Sequence, residues 1–197
     1  LDFLQNLTTN NIKNVDINNS QFSSILTPQG KYLCEFFVVK SDKGYLIDCE
    51  RDFIEELLNI LERYKLQSKV VIEDVSSKHV VGIISKEKFL ELKKSEMSNF
   101  NTFKYRSSPL FMDPRTDELG ARIISPLDKL YLSIKKLSLN MIDKETYYNR
   151  AFKLGIPITG LKYLRNNLFG LEANMEKFAA IDFKKGCFIG QENTARM

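Results

Sequence analysis

The residues best suited to chemistry surround one cysteine, Cys187, close to the end of the sequence. Lys184 and Lys185 precede Gly186 and Cys187, and Gly190 opens a polar stretch that is compatible with a helix. Neighbouring ammonium groups and a helix N-terminus favour a thiolate, so we expect a lowered pKa for this thiol. The two glycines permit a tight turn that exposes the sulfur. These features indicate a reactive or ligand-contacting cysteine, and the alternative is that the side chain packs as a small apolar residue.

The composition is that of an ordinary soluble globular protein. Of 197 residues, 43% are hydrophobic and 27% are charged, which suits one large domain or two small lobes. Since no apolar run approaches the roughly 20 residues that a membrane helix needs, we expect no membrane association. The net charge of +4 fits either a soluble surface or a basic pocket for an anion. Without a dense run of Lys and Arg, direct nucleic-acid binding is not expected.

The sequence contains three cysteines, Cys34, Cys49 and Cys187, and one histidine, His79. Their spacings match no zinc or iron–sulfur motif, so we expect no stably bound metal. An odd number of sparse cysteines indicates a reducing compartment, either the cytoplasm or the mitochondrial matrix. We expect Cys34 and Cys49 to be buried strand residues, and His79 to lie at the surface or at a strand end.

Hydrophobic periodicity predicts an α+β fold in the first half of the chain. An apolar helical face repeats from Phe53 to Leu61, with charged residues opposite. A hairpin turn at 41–44 joins two strands. The predicted elements are a helix at 2–9, strands at 22–26, 32–39 and 45–49, a helix at 53–61, strands at 70–72 and 80–84, and a helix at 87–94. This order favours an antiparallel sheet covered by helices.

The composition of the sequence changes from about Tyr105 onward. The second half is richer in proline and in loops, with one short strand predicted at 121–124. Asp143 is placed to cap a helix that runs to Leu154, and a second helical piece is predicted at 161–167. Three aromatic residues at helical spacing are interpreted as core residues: Tyr147, Tyr148 and Phe152.

The segment KGCFIGQENTAR closely resembles the K-G-C-(Y/F)-x-G-Q-E-x-x-(A/S)-R signature of the YgfZ family of folate-binding iron–sulfur cluster assembly and repair proteins. Three other stretches are similar to motifs of that family: FLQNLTTN, MDPRTDELGAR and LEANMEKFAAIDFKKGC. The resemblance therefore spans nearly the whole chain. It also implies a short N-terminal strand and a C-terminal barrel-like part that this sequence lacks, as in a fragment of a longer protein. The signature positions are Lys185, Gly186, Cys187, Gly190, Gln191, Glu192 and Arg196.

The YgfZ family is related to the T-protein of the glycine cleavage system, an aminomethyltransferase that uses tetrahydrofolate. In the T-protein, the glutamate of an L-E-A-G-M segment binds the pterin, and the similar LEANM makes Glu172 the candidate contact. A carboxylate suits this role because it accepts two parallel hydrogen bonds; a surface or capping glutamate is the alternative. The resemblance also implies Asn6 and Arg115 as folate contacts. For Arg115 and Arg122, carboxylate pairs inside the protein are the favoured alternative to contacts with the folate tail.

The T-protein's catalytic aspartate lies in a G-G-x-L-D-D segment, and the similar stretch here is GKYLCE, at 30–35. Cys34 and Glu35 therefore replace the two aspartates. A carboxylate displaced by one methylene moves by about 1 Å, which is enough to lose roughly 100-fold in rate. We therefore do not expect aminomethyl transfer, and whether the protein is an enzyme stays open.

The resemblance implies a T-protein-like α+β fold with a ferredoxin-like lobe at 41–106 and a discontinuous folate-binding lobe at 1–40 and 107–197. The implied function is that of an accessory protein in the assembly or repair of iron–sulfur proteins, with indirect support of tRNA modification. Cys187 would lie at the rim of a tetrahydrofolate channel, and the implied partners are reduced folate and iron–sulfur client or assembly proteins. A T-protein-type aminomethyltransferase and a non-catalytic RNA- or protein-binding module are the alternatives.

Overall fold

The computed structural model describes residues 2–158 and 161–196, which form two antiparallel sheets. The first sheet has the order β1–β2–β3 and consists of β1 (Gln21–Leu26), β2 (Tyr32–Ser41) and β3 (Gly44–Asp48). The second sheet has the order β4–β7–β6–β5 and consists of β4 (Val80–Ile84), β5 (Thr102–Tyr105), β6 (Ser108–Met112) and β7 (Ala121–Ser125).

Six α-helices lie within the described ranges: α1 (Asp2–Leu7), α2 (Ile54–Lys65), α3 (Lys86–Ser95), α4 (Leu127–Lys136), α5 (Lys144–Lys153) and α6 (Gln191–Arg196). The helix α5 begins where the sequence predicts, because the Asp143 carboxylate accepts the N–H of Glu145 (2.9 Å). Short 3₁₀ turns include 161–163 and 171–173. None of the helices in the described part of the chain is long and apolar enough to cross a membrane.

The three-stranded sheet carries the main hydrophobic core. In β2, the consecutive residues 36–39 are all buried, so both faces of this strand are covered. The outer edge of β1 is covered by the chain that follows α1. There, the Thr9 N–H donates to the carbonyl of Ser24 (3.0 Å), and Asn10 Nδ2 donates to the carbonyl of Phe22 (2.8 Å). The end of α1 is thereby fixed to the sheet.

The four-stranded sheet is covered on both faces. On one face, Phe89 of α3 packs in a separate cluster with Leu110. On the other face, Phe111 joins the main core, where its ring centroid lies 6.0 Å from that of Phe37 in β2. The two sheets therefore pack directly against each other.

The predicted α+β class is confirmed, and so are the helices and strands of the first half with one exception. The strand predicted at 70–72 is wrong: these residues join no ladder, and Val71 is 93% exposed. In the second half, the prediction of Phe152 as a core residue is also wrong, since it lies on the exposed face of α5. Tyr147 and Tyr148 of the same helix do pack against the core. The helical piece predicted at 161–167 shortens to a 3₁₀ turn.

Sequence reasoning misses β5, β6 and α4. The β5–β6 hairpin turns at Arg106 and Ser107, which both have positive φ although neither is glycine. Pro109 lies within β6, where proline ordinarily argues against a strand. Helix α4 begins directly after Pro126, in a stretch where the prolines indicate loops.

The division into lobes at 40/41 and 106/107 stays a prediction. The four-stranded sheet takes β4 and β5 from one side of the second boundary and β6 and β7 from the other.

Candidate functional site

Cys187 lies between a turn at 182–185 and helix α6, where Gly186 and Cys187 are exposed and Phe188 is buried. It is a free and exposed thiol, whereas Cys34 is fully buried, as predicted, and Cys49 is half-buried just after β3. The turn is fixed because the side-chain carboxylate of Asp182 accepts a hydrogen bond from the backbone N–H of Lys184 (2.8 Å). We call residues 185–189 the thiol arch, with Cys187 at its centre.

The first foot of the thiol arch is the ammonium of Lys185. Its Nζ donates to the carbonyls of Gln5 (2.6 Å) and Asn10 (2.9 Å), and also to the carbonyl of Thr8. It lies 5.2 Å from the ring centroid of Phe188, and its burial lowers its pKa to about 8. The sequence predicts that the Lys185 ammonium favours the Cys187 thiolate. In the structure, this ammonium instead binds carbonyls at the end of α1.

The second foot of the thiol arch is Ile189, whose N–H donates to the carbonyl of Asn6 (3.2 Å). Beside it, the Phe188 N–H donates to the side-chain oxygen of Gln191 at the start of α6 (3.3 Å). Both feet of the arch therefore rest on α1 and the chain just after it. Asn6, predicted as a folate contact, supports the thiol arch through its backbone.

Gly190 directly follows the thiol arch. It has a positive φ of 84° and lies in close contact with the backbone of the β1–β2 turn. A Cβ at this position would lie 2.5 Å from the carbonyl oxygen of Thr27 and 3.1 Å from the Cα of Gly30. Gly186 also has a positive φ, of 94°, but no atom lies within 4 Å of the corresponding Cβ position. Both signature glycines adopt left-handed backbone, which favours glycine. Only Gly190 also has a neighbour so close that a Cβ would not fit.

The remaining signature residues belong to α6. Glu192 and Arg196 form an ion pair (2.6 Å) that is about three-quarters exposed, which ordinarily contributes little stability. Asn193 donates to the carbonyl of Gln29 (2.6 Å) in the β1–β2 turn. The Asn193 contact docks α6 on that turn and so holds the end of the thiol arch.

A shallow groove of about 370 Å³ adjoins the thiol arch. Its walls include Asn10 and Gln21 on one side and Asp182, Phe183 and Lys184 on the other. Phe183 is 53% exposed, although it is a large apolar residue.

Glu172, the candidate pterin contact, is exposed in the 3₁₀ turn 171–173. One of its carboxylate oxygens accepts the backbone N–H of Phe169 (2.7 Å), which is the capping interaction that the sequence leaves open as an alternative. Contact with a pterin stays a prediction.

Arg115 and Arg122 form carboxylate pairs inside the protein, which confirms that alternative. Arg115 makes a bidentate pair with Asp113 (3.0 and 2.8 Å), and its side chain is only 3% exposed. Arg122 of β7 pairs with Asp48 of β3 (2.7 Å). Tyr147 of α5 accepts a hydrogen bond from each arginine (both 3.1 Å). Arg115 therefore has its guanidinium occupied within the protein.

Glu35 lies beside this pair of arginines, at a cavity of about 20 Å³, which is space for roughly one water molecule. Burial raises the pKa of Glu35 to about 7, in spite of the opposing charge of Arg115. Glu50 lines the same cavity, and burial raises its pKa as well. Sequence reasoning identifies Glu35 only as a replaced aspartate and misses Glu50 and Tyr147, because nothing in their local sequence marks them as neighbours of a cavity.

Reduced folate fits this set of residues only in part. Binding pockets for ligands of this size are typically about 300–1,000 Å³, and the cavity that Arg115 lines is far smaller. Glu172 and Asn6 line neither that cavity nor the groove beside the thiol arch. Of the predicted folate contacts, Glu172 alone presents an exposed carboxylate of the kind that a pterin contact needs.

Comparison with known proteins connects this chain to iron–sulfur assembly factors and to the T-protein fold. The chain is 29% identical over 224 residues to a Dictyostelium discoideum protein named iron-sulfur cluster assembly factor IBA57 homolog, mitochondrial, covering 100% of this chain and 54% of that protein. It is 28% identical over 201 residues to the protein of the same name from Pyricularia oryzae, covering 98% and 48%. The chain thus spans about half the length of the curated relatives it matches. No protein-family model matches it.

Among solved structures, the chain is similar to the glycine cleavage system aminomethyltransferase T from Bartonella henselae. The TM-score is 0.71 at 12% sequence identity, covering 99% of this chain and 57% of that protein. At this identity the similarity concerns the fold, and it confirms the predicted T-protein-like architecture.

Substitution of the two signature glycines tests the close contact at the end of the thiol arch. Gly186→Ala should cost about 1–2 kcal/mol of unfolding free energy, because a Cβ disfavours left-handed backbone. Gly190→Ala should cost at least ~1 kcal/mol more, since its Cβ also meets the carbonyl of Thr27. Urea unfolding of both variants measures the difference. Equal losses of unfolding free energy in the two variants would show that Gly190 is not in close contact with the β1–β2 turn.

Glu35→Gln tests the buried carboxyl. The folded protein holds a proton on Glu35 up to pH 7 and the unfolded chain only up to the ordinary value of 4.5, so this group's stabilising contribution is full below 4.5 and falls as pH rises through 7. Wild type should therefore lose roughly 2–3 kcal/mol relative to Glu35→Gln between about pH 4 and pH 8. Urea unfolding at both pH values gives this difference, with the exposed Glu172→Gln as the control. Parallel pH profiles for wild type and Glu35→Gln would contradict the assignment.

Proposed function

We propose that this chain acts in the assembly or repair of iron–sulfur proteins, with the Cys187 thiol as its functional group. The observation that carries the proposal is the position of this thiol, exposed at the centre of an arch whose two feet, Lys185 and Ile189, rest on α1 and the chain just after it. The similarity to proteins named as iron–sulfur cluster assembly factors supports it.

The number of available thiols defines how Cys187 would act. Of the three cysteines, Cys34 is fully buried and Cys49 is half-buried, and burial raises the pKa of both thiols. Iron–sulfur clusters are usually held by four thiolates. Cys187 would therefore hold iron or a preformed cluster as cargo, by coordination of its thiolate to iron, together with ligands from a second protein. That protein is an iron–sulfur client or another assembly factor.

We propose the mitochondrial matrix as the compartment, in preference to a bacterial cytoplasm. The sparse, unpaired cysteines suit a reducing environment, and the relatives named above are described as mitochondrial. Any effect on tRNA modification would be indirect, through enzymes that carry iron–sulfur clusters.

Reduced folate is proposed as a ligand of this chain, held at its pterin end by the Glu172 carboxylate. When bound, it would supply a carrier for one-carbon units. The contact that the resemblance implies for Arg115 is disfavoured, since that guanidinium is buried and already donates to Asp113 and Tyr147.

The aminomethyltransferase alternative draws on the shared fold, but the residues at the corresponding positions disfavour it. Cys34 is fully buried, and Glu35 faces a cavity with space for roughly one water molecule. A non-catalytic binding module for RNA has only the mild net charge of +4 in its favour.

Replacement of Cys187 tests the central role of the thiol. In cells that lack the native protein, Cys187→Ser should fail to restore the activity of iron–sulfur enzymes, because a serine hydroxyl is a poor ligand for iron. Cys49→Ser is the matched control and should restore activity fully. Protein levels and thermal unfolding confirm that both variants fold. Full restoration by Cys187→Ser would remove the thiol from the function.

A titration with tetrahydrofolate tests the ligand. We expect binding that is weakened about 10-fold or more in Glu172→Ala, because a charge-assisted hydrogen bond contributes ~1.5–3 kcal/mol. Calorimetry measures both affinities, and Glu176→Ala, another exposed glutamate of the same segment, should bind as wild type does. Absence of binding by the wild-type chain would remove folate from the proposal and leave the role of Cys187 untouched.

A further inference from the structure

The ammonium of Lys185 has all of its hydrogen-bonding capacity matched by one short segment of the chain. An ammonium carries three N–H donors, and three carbonyls accept from it, those of Gln5, Thr8 and Asn10. Each donor therefore has an acceptor in the backbone, and none is left for the sulfur of Cys187. Lys185 consequently acts on the arch that carries the thiol, and not as a hydrogen-bond donor to the thiol itself.

The two feet of the thiol arch are symmetric about Cys187. Lys185 lies two residues before it and binds the carbonyl of Gln5, while Ile189 lies two residues after it and binds the carbonyl of Asn6. Between the feet, Gly186 and Cys187 are exposed, and no atom lies within 4 Å of the Gly186 Cβ position, whereas Phe188 is buried in the main core. After Cys187 the arch is therefore held by Phe188 and Ile189, and before Cys187 it is held by Lys185.

The three carbonyls suit a cation because they lie at and just beyond the C-terminal end of α1. The last carbonyls of a helix have no partners within the helix and carry a partial negative charge. The side chain of Lys185 is partly withdrawn from water, and the same burial that lowers its pKa strengthens its interaction with the carbonyls. Removal of the ammonium would leave three carbonyl oxygens facing one another.

We propose that Lys185 is a positioning residue for Cys187: its ammonium fixes the thiol arch on the end of α1, and the presentation of the thiol depends on that contact. The inference rests on the proposed function, in which Cys187 is the functional thiol. It replaces the role that the sequence indicates for this lysine, which is that of a neighbouring charge that favours the thiolate.

The test compares Lys185→Ala with Lys184→Ala, which removes the adjacent exposed lysine. Hydrogen exchange at the Ile189 N–H should accelerate by about 10-fold or more in Lys185→Ala, because the opposite foot of the arch is released, and should not change in Lys184→Ala. Added ethylammonium, which donates hydrogen bonds, should restore protection at Ile189. Tetramethylammonium, which has the same charge and no N–H, should not. If Lys185→Ala does not fold, Lys185→Gln gives the same comparison with partial protection.

Alkylation of Cys187 by iodoacetamide, followed by mass spectrometry, separates the two roles of the lysine. A positioning role leaves the pH midpoint of the alkylation rate unchanged in Lys185→Ala, whereas a counter-ion role raises that midpoint. Unchanged exchange at Ile189, a raised midpoint or equal restoration by both ammonium ions would each overturn the proposal. These measurements use the purified chain alone, so they succeed or fail independently of any iron–sulfur assay.

Discussion

The guanidinium groups of Arg115 and Arg122 are withdrawn from water between the two sheets, and the centre of the molecule is arranged to keep both of them paired. Arg122 connects β7 to Asp48 of β3, and Tyr147 of α5 bridges Arg122 to Arg115. Removal of one partner from such a pair leaves a buried charge and typically costs about 3–5 kcal/mol. The two sheets, the loop after β6 and α5 are therefore held in one arrangement.

This arrangement also determines what the centre of the fold can do. The two arginines are paired with Asp48 and Asp113, so Glu35 shares their surroundings without a cation of its own. The cavity beside it is small because ion pairs and aromatic rings fill the surrounding space. The thiol lies elsewhere, over the end of α1. The chain thus has a T-protein-like fold, and the thiol proposed as its functional group lies away from the centre of that fold, as is possible because fold does not determine function.

The sequence predicts the features that have a local signal. The apolar face of α2 repeats at helical spacing, and Asp143 marks the start of α5 with its side chain. The β5–β6 hairpin lacks such a signal because Arg106 and Ser107 occupy a turn that usually calls for glycine or asparagine. Cys187 is recognisable from its own motif. The partners of Lys185 are not, because they are backbone carbonyls, which every residue has, and their place is set by the fold.

The hydrogen bonds of Lys185 join residues that are 175 to 180 positions apart in the chain. Contacts between such distant residues form slowly, because a long loop must close before they contribute. During synthesis on the ribosome, α1 and its free carbonyls emerge early, and the lysine that satisfies them emerges more than 170 residues later. Lys185 can therefore fix the segment that carries Cys187 only after the residues of both sheets have been synthesised. In a nascent chain, or in one truncated before Lys185, the carbonyls at the end of α1 would lack the ammonium that binds them in the folded protein.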